Sequence, residues 1–301
     1  MKFKATIILF LISLGFSINS YADGFCEGPL GAENAIESAA GVITYQGNEN
    51  AMGDCAFAPD EYTVTIYEMG LCTSAPTVPT TSSAYKLDTC STVISSADGD
   101  GQTINLAAGS ELTLTDVTRP TNGTYTHAYM VLGNSFGITV TKQFTNTMHR
   151  YDTATSGNFC WTTSGTEHNS DWSGTPANPT TFANCGDEED AAPATYTEIL
   201  DAFDTDTYNY GPVSVESGNL TAYLVTDSNN RLVNAVKTAD QIFGSQALTT
   251  PVEVTDTSSS FIVSFGVNQA TSTQMSDEGS LNTYDVIAFG SGPFSAFITV
   301  E

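Results

Sequence analysis

Apolar and polar residues alternate in short runs along most of this chain. Tyr62-Thr63-Val64-Thr65-Ile66 puts Tyr62, Val64 and Ile66 on one face and the threonines on the other, because successive side chains of a strand point to opposite sides. The same period of two recurs over residues 112–115, 137–141, 220–225, 261–267 and 294–300. Each run predicts a half-buried strand. Asn122-Gly123, set between the runs 112–117 and 124–132, predicts a hairpin, since both centres of a type I′ turn need positive φ.

Helical spacing is rare. Thr195-Tyr196-Thr197-Glu198 has the form of a capping box, and Tyr196, Ile199, Leu200 and Phe203 follow as one apolar stripe, which predicts a short helix. Thr238-Ala239-Asp240-Gln241 with Gly244 predicts a second in the same way, and residues 31–40 a third, weaker one. Residues 145–193 lack clear alternation and are long for a plain loop, so they read as a functional excursion or a tethered insertion. The fold class that follows is all-β: an antiparallel β-sandwich or jelly-roll-like body with an insertion at 145–193 and one or two short helices. The β body is expected over 61–301, as one domain or two sub-domains, preceded by an N-terminal disulfide-linked segment over 23–60.

The first 22 residues alter this picture. Lys2 and Lys4 make a basic start, residues 5–16 an apolar run too short to span a bilayer comfortably, and Ser20-Tyr21-Ala22 a small-residue cleavage site. The segment reads as a secretory signal peptide, with Asp23 as the first mature residue. The residues before Cys26 do not form a lipidation box, and the remaining chain has no second apolar run long enough for a membrane helix. No stable membrane insertion is therefore expected. The destination is the cell surface or the extracellular medium, with the periplasm as an alternative.

Six cysteines, Cys26, Cys55, Cys72, Cys90, Cys160 and Cys185, all follow the leader. An even number in an exported chain points to disulfides, and no spacing matches a zinc pattern. Nearest-neighbour pairing is the simplest assignment, with Cys160 and Cys185 stapling the insertion. The charge is strongly acidic, 34 Asp and Glu against 8 Lys and Arg for a net charge of −26. Nucleic acids and anionic membrane surfaces are poor partners for such a chain.

Groups able to carry catalysis are few. The three histidines, His127, His149 and His168, fall in no metal-ligand spacing, and no G-x-S-x-G elbow occurs. A non-enzymatic role is expected, without a cofactor. Two acidic turns could supply Ca²⁺ ligands: Asp98 and Asp100 in Asp98-Gly99-Asp100-Gly101, and Asp204 and Asp206 in the next cluster. Both tryptophans, Trp161 and Trp172, fall in the insertion among Asn, Ser and Asp, the setting in which flat rings stack on sugars.

The stretches 101–106 and 112–117, followed by Pro120-Thr121-Asn122-Gly123-Thr124-Tyr125-Thr126, resemble prealbumin-like and related β-sandwich modules of bacterial surfaces. The resemblance covers a small part of the chain. It implies a surface-located sandwich and transfers no catalytic residue. The reading as a whole is a secreted, non-enzymatic structural or adhesive protein that associates with copies of itself as a fibre or surface-layer subunit. The alternative is a carbohydrate- or Ca²⁺-dependent module that binds surface glycans through the Trp-bearing insertion.

Overall fold

Strands dominate, as the alternation predicts. The computed structural model describes residues 4–8, 24–26, 35–45, 52–96, 99–106, 111–112, 117–150, 155–171, 182–190, 192–203, 206–215, 217–226, 228–276 and 284–301. The largest sheet has ten strands and runs Gly165–His168, Tyr196–Ile199, Ser135–Thr139, Glu61–Cys72, Gly123–Gly133, Gln241–Val254, Gly218–Val225, Asn209–Val215. Cys90–Ser95 and Gln102–Asn105 also pair with Glu61–Cys72. A nine-stranded sheet runs Gly24–Phe25, Ala35–Glu37, Ile43–Tyr45, Thr141–Arg150, Asp285–Ser291, Thr271–Ser276, Met52–Phe57, with Ser156–Thr162 and Ala183–Gly186 joined to it through Thr141–Arg150. A four-stranded sheet has the order Ser295–Val300, Ser260–Gly266, Lys4–Ile8, Glu111–Leu112.

The period of two explains how the layers adhere. Tyr62, Val64 and Ile66 are buried together with Phe261, Val263 and Phe265 of the four-stranded sheet in the main core. In Gly123–Gly133, Ala128, Met130 and Leu132 enter that same core, whereas Tyr129 and Val131 point the other way into a smaller cluster. There Tyr85 stacks on Phe243, centroids 4.3 Å apart, and burial with the nearby Glu68 pushes its hydroxyl up to about 12. A third cluster packs the nine-stranded sheet around Phe57, Phe144, Met148, Met275 and Phe289. Each such large side chain contributes about 1.5–3 kcal/mol by leaving water.

Three disulfides pair nearest neighbours: Cys26 with Cys55, Cys72 with Cys90, and Cys160 with Cys185. The last two join residues directly opposite each other on adjacent antiparallel strands. Such bridges are typical of proteins that mature in an oxidising compartment. No described helix is long and apolar enough to cross a membrane.

The predicted helices do not form. Among the described residues the one helical segment is the short 3-10 turn Asn169–Asp171. Residues 196–199 are a strand paired with Ser135–Thr139 on one side and Gly165–His168 on the other, so ladders satisfy the backbone groups that a helix would have satisfied internally. Gln241 opens the 14-residue strand Gln241–Val254. Within 31–40, Ala35–Glu37 pairs antiparallel with Ile43–Tyr45 across a turn that Gly41 closes at φ 77°.

Among the described residues no Asn122-Gly123 hairpin is seen, and residues 113–116 of its expected first strand lie outside them. Gly123 opens a strand, but its neighbours are Gln241–Val254 and Glu61–Cys72. The Asn122 side chain instead accepts from Arg119 Nη2 at 2.7 Å and donates to Asp256. Within residues 145–193, which the Cys160–Cys185 bridge staples, the described parts join the sheets. They supply Ser156–Thr162 and Ala183–Gly186 to one sheet and Gly165–His168 to the other.

Candidate functional site

Between the ten-stranded and nine-stranded sheets lies a cavity of about 360 Å³. Met130, Leu132 and Ile242 line it from the large sheet, the paired Gln274 and Ala288 line it from the other sheet, and Phe294 borders it as well. Two carboxylates reach its wall, Glu198 and Glu167. They sit opposite each other on the parallel strands Tyr196–Ile199 and Gly165–His168.

Glu198 is inside because of its register. Tyr196 and Glu198 occupy the same face of a four-residue strand, and both are buried. Tyr196 stacks on Phe182, centroids 5.2 Å apart. Glu198 is only 8% exposed and accepts a hydrogen bond from the Ser291 backbone N–H across the sheet interface. Burial raises its pKa, with smaller upward contributions from Glu167 and Asp201, while the Ser291 hydrogen bonds oppose the rise. Burial and the Glu198 charge also push the Tyr62 and Tyr196 hydroxyls up.

The rim is held by one fully buried carboxylate, Asp201. It accepts from Ser170 N at 3.1 Å, Ser170 Oγ at 2.8 Å, His168 Nδ1 at 3.0 Å and Lys237 N at 3.1 Å. Its own N–H donates to Asn169 Oδ1 at 2.8 Å. Lys237 has φ 59° and pairs through Nζ with Asp171. Asn169, Leu200 and Phe203, carried by the tied segments, line the cavity. Serine, histidine and aspartate thus meet here, but Ser170 and His168 both bond to Asp201. Hydrolase catalysis needs the serine on the histidine.

A second feature lies in the four-stranded sheet. Lys4–Ile8 runs parallel to Ser260–Gly266, with Lys4 opposite Ser260 and Ile7 opposite Val263. On its other side Ile7 and Ile8 meet Leu112 and Glu111 in antiparallel pairing. Ser260–Gly266 pairs on its far edge with Ser295–Val300 and buries Phe261, Val263 and Phe265. The terminal strand therefore completes its own sheet.

Those residues singled out by sequence that the structure describes do not come together. Trp161 is partly buried on Ser156–Thr162, next to the Cys160–Cys185 bridge and against Gly186. Asp100 and Asp206 are exposed turn residues in separate parts of the chain. Trp172, Asp98 and Asp204 lie outside the described residues. Among the described residues no group of three or more His, Cys, Asp or Glu could hold a metal ion. His127 sits on Gly123–Gly133 with Nδ1 2.9 Å from Thr126 Oγ1, and desolvation lowers its pKa.

Neither the cavity nor the pairing of Lys4–Ile8 with Ser260–Gly266 is legible in the order of residues. The alternation Tyr196-x-Glu198 could have located the buried carboxylate, had the capping-box pattern over the same residues not pointed to a helix. Comparison with protein-family models, curated proteins and solved structures finds no match.

Proposed function

We propose that this protein is an exported, non-enzymatic structural subunit of the cell surface or extracellular space, whose copies join by strand exchange. The carrying observation is the pairing of Lys4–Ile8 between Ser260–Gly266 and Glu111–Leu112. These residues fall inside the leader expected from the sequence, so cleavage on export withdraws a strand and leaves one edge of Ser260–Gly266 unpaired. An edge backed by Phe261, Val263 and Phe265 is a template for another strand. An extended segment of a second copy fills it. The net charge of −26 opposes indiscriminate association.

The test compares mature protein beginning at Asp23 with and without a synthetic peptide of residues 4–10, by sedimentation and electron microscopy. Assemblies are expected without the peptide, together with their suppression and a raised melting temperature in its presence, since a ligand of the native state stabilises it. A mature protein that stays monomeric at high concentration and melts identically with the peptide overturns the reading.

A further inference from the structure

We infer that the inter-sheet cavity is a binding site for a primary amine carried on a compact apolar body, with Glu198 as the counter-ion. This goes beyond assembly and does not depend on it, because the cavity lies between the other two sheets. Size is the first argument. The cavity holds about 360 Å³. The site is at the small end of ligand pockets and suits one ring with a short chain.

Wall chemistry is the second argument. The lining is dominated by apolar and aromatic side chains, and its two charged residues are both acids, Glu198 and Glu167. Among the described residues no lysine, arginine or histidine lines it. A carboxylate in such surroundings is poorly solvated when ionised. The Ser291 backbone N–H and its side chain hydrogen-bond to Glu198, but neither is charged, so the carboxylate has no cationic partner among the described residues of the cavity wall. An ammonium group provides that partner, and a carboxylate ligand is repelled by both acids.

Ring placement is the third. Phe182 and Tyr196 stack with planes 20° apart, and Phe203 and Tyr210 with planes 25° apart. All four rings border the cavity. Aromatic faces beside a carboxylate attract an organic cation through the ring quadrupole while accommodating its apolar body. The Asp201 knot described above fixes Asn169 and the Leu200–Phe203 segment, so these groups are held in place before a ligand arrives.

Titration calorimetry with three isosteric probes, 4-phenylbutylamine, 4-phenylbutanol and 4-phenylbutyrate, tests the inference. A charge-assisted hydrogen bond to the carboxylate implies that the amine binds about tenfold or more tightly than the alcohol. The carboxylate should not bind. Glu198→Gln should bring the amine down to the affinity of the alcohol and leave the alcohol unchanged. Ala222→Phe, which fills the cavity from Gly218–Val225, should abolish binding of both.

A pH series on the unmodified protein gives the same answer without relying on a variant. Glu198 is coupled electrostatically to Glu167, Asp201, Tyr62 and Tyr196, of which Glu167 and Tyr196 share the cavity wall with it, and Glu198 is the group the amine contacts. Amine affinity should rise as the pH climbs through its titration, while that of the alcohol stays flat. Equal binding of amine and alcohol, no change in amine affinity in Glu198→Gln, or no binding by any probe overturns the inference.

Discussion

Glu198 accepts a hydrogen bond from the backbone N–H of Ser291, 93 residues further along the chain. One residue belongs to the ten-stranded sheet and the other to the nine-stranded sheet, so this bond ties the two layers at the cavity wall. It also leaves an acid in an apolar interior, and pH dependence follows from that placement.

The folded pKa of Glu198 is raised above its ordinary 4.5 by burial. A raised acid contributes fully to stability below its unfolded value, and that contribution is lost as the pH rises through the folded value. Glu198→Gln keeps an acceptor for Ser291 and removes the ionisation. Its melting temperature relative to the parent should therefore be unremarkable in acid and should improve progressively as the pH is raised towards neutral. A parallel pair of Tm-against-pH curves would contradict this.

Asp201 accepts four hydrogen bonds while wholly buried. Asp201→Ala leaves those donors unsatisfied and should cost about 3 kcal/mol or more in denaturant unfolding. Amide exchange should accelerate at Ser170 and Lys237 ahead of the distant Tyr85 cluster. Uniform acceleration across the protein would indicate global rather than local loosening.

The Cys160–Cys185 bridge closes a separation of 25 residues between paired strands. Replacing both cysteines with serine should lower stability by roughly 3 kcal/mol in the chain-entropy picture. Urea unfolding of the double variant measures it, and an unchanged midpoint would mean that the strand pairing alone holds Ser156–Thr162 to Ala183–Gly186.

Gly157 stands where a side chain has no room. A Cβ at this position would lie 1.8 Å from the carbonyl carbon of Gly186, a backbone atom that no rotamer change can move aside. Gly157→Ala should destabilise by about 1–3 kcal/mol through forced separation of the strands. The far-UV spectrum should remain that of a β protein while the urea midpoint falls.

Several features of this protein were readable from residue order. The period of two placed Tyr62, Val64 and Ile66 on a buried face, and that face is buried. Nearest-neighbour cysteine pairing is the simplest assignment that the modest spacing of successive cysteines allows, and all three of those bridges form. These are local properties: alternation is dictated by strand geometry, and cysteines close along the chain reach each other across a single turn or excursion.

The 196–199 strand shows why the remainder was not readable. Thr195 to Glu198 satisfies the local pattern of a capping box, but a helix there would break the ladders to Ser135–Thr139 and Gly165–His168 and turn Tyr196 away from Phe182. Among the described residues Gly123–Gly133, which follows the favourable turn dipeptide Asn122-Gly123, takes its neighbours from two distant strands.

Sequence by itself determined an all-β chain, six cysteines whose simplest pairing joins nearest neighbours, an export leader as its expectation, and a strongly acidic charge, because strand period, cysteine spacing and charge are carried by neighbouring residues. Tertiary structure alone decided that Glu198 faces a cavity, that Asp201 gathers Ser170, His168 and Lys237, and that Lys4–Ile8 lies against Ser260–Gly266. Each of those depends on which distant strand becomes a neighbour. That choice is made by the summed burial of whole sheet faces, which no short stretch of residues encodes.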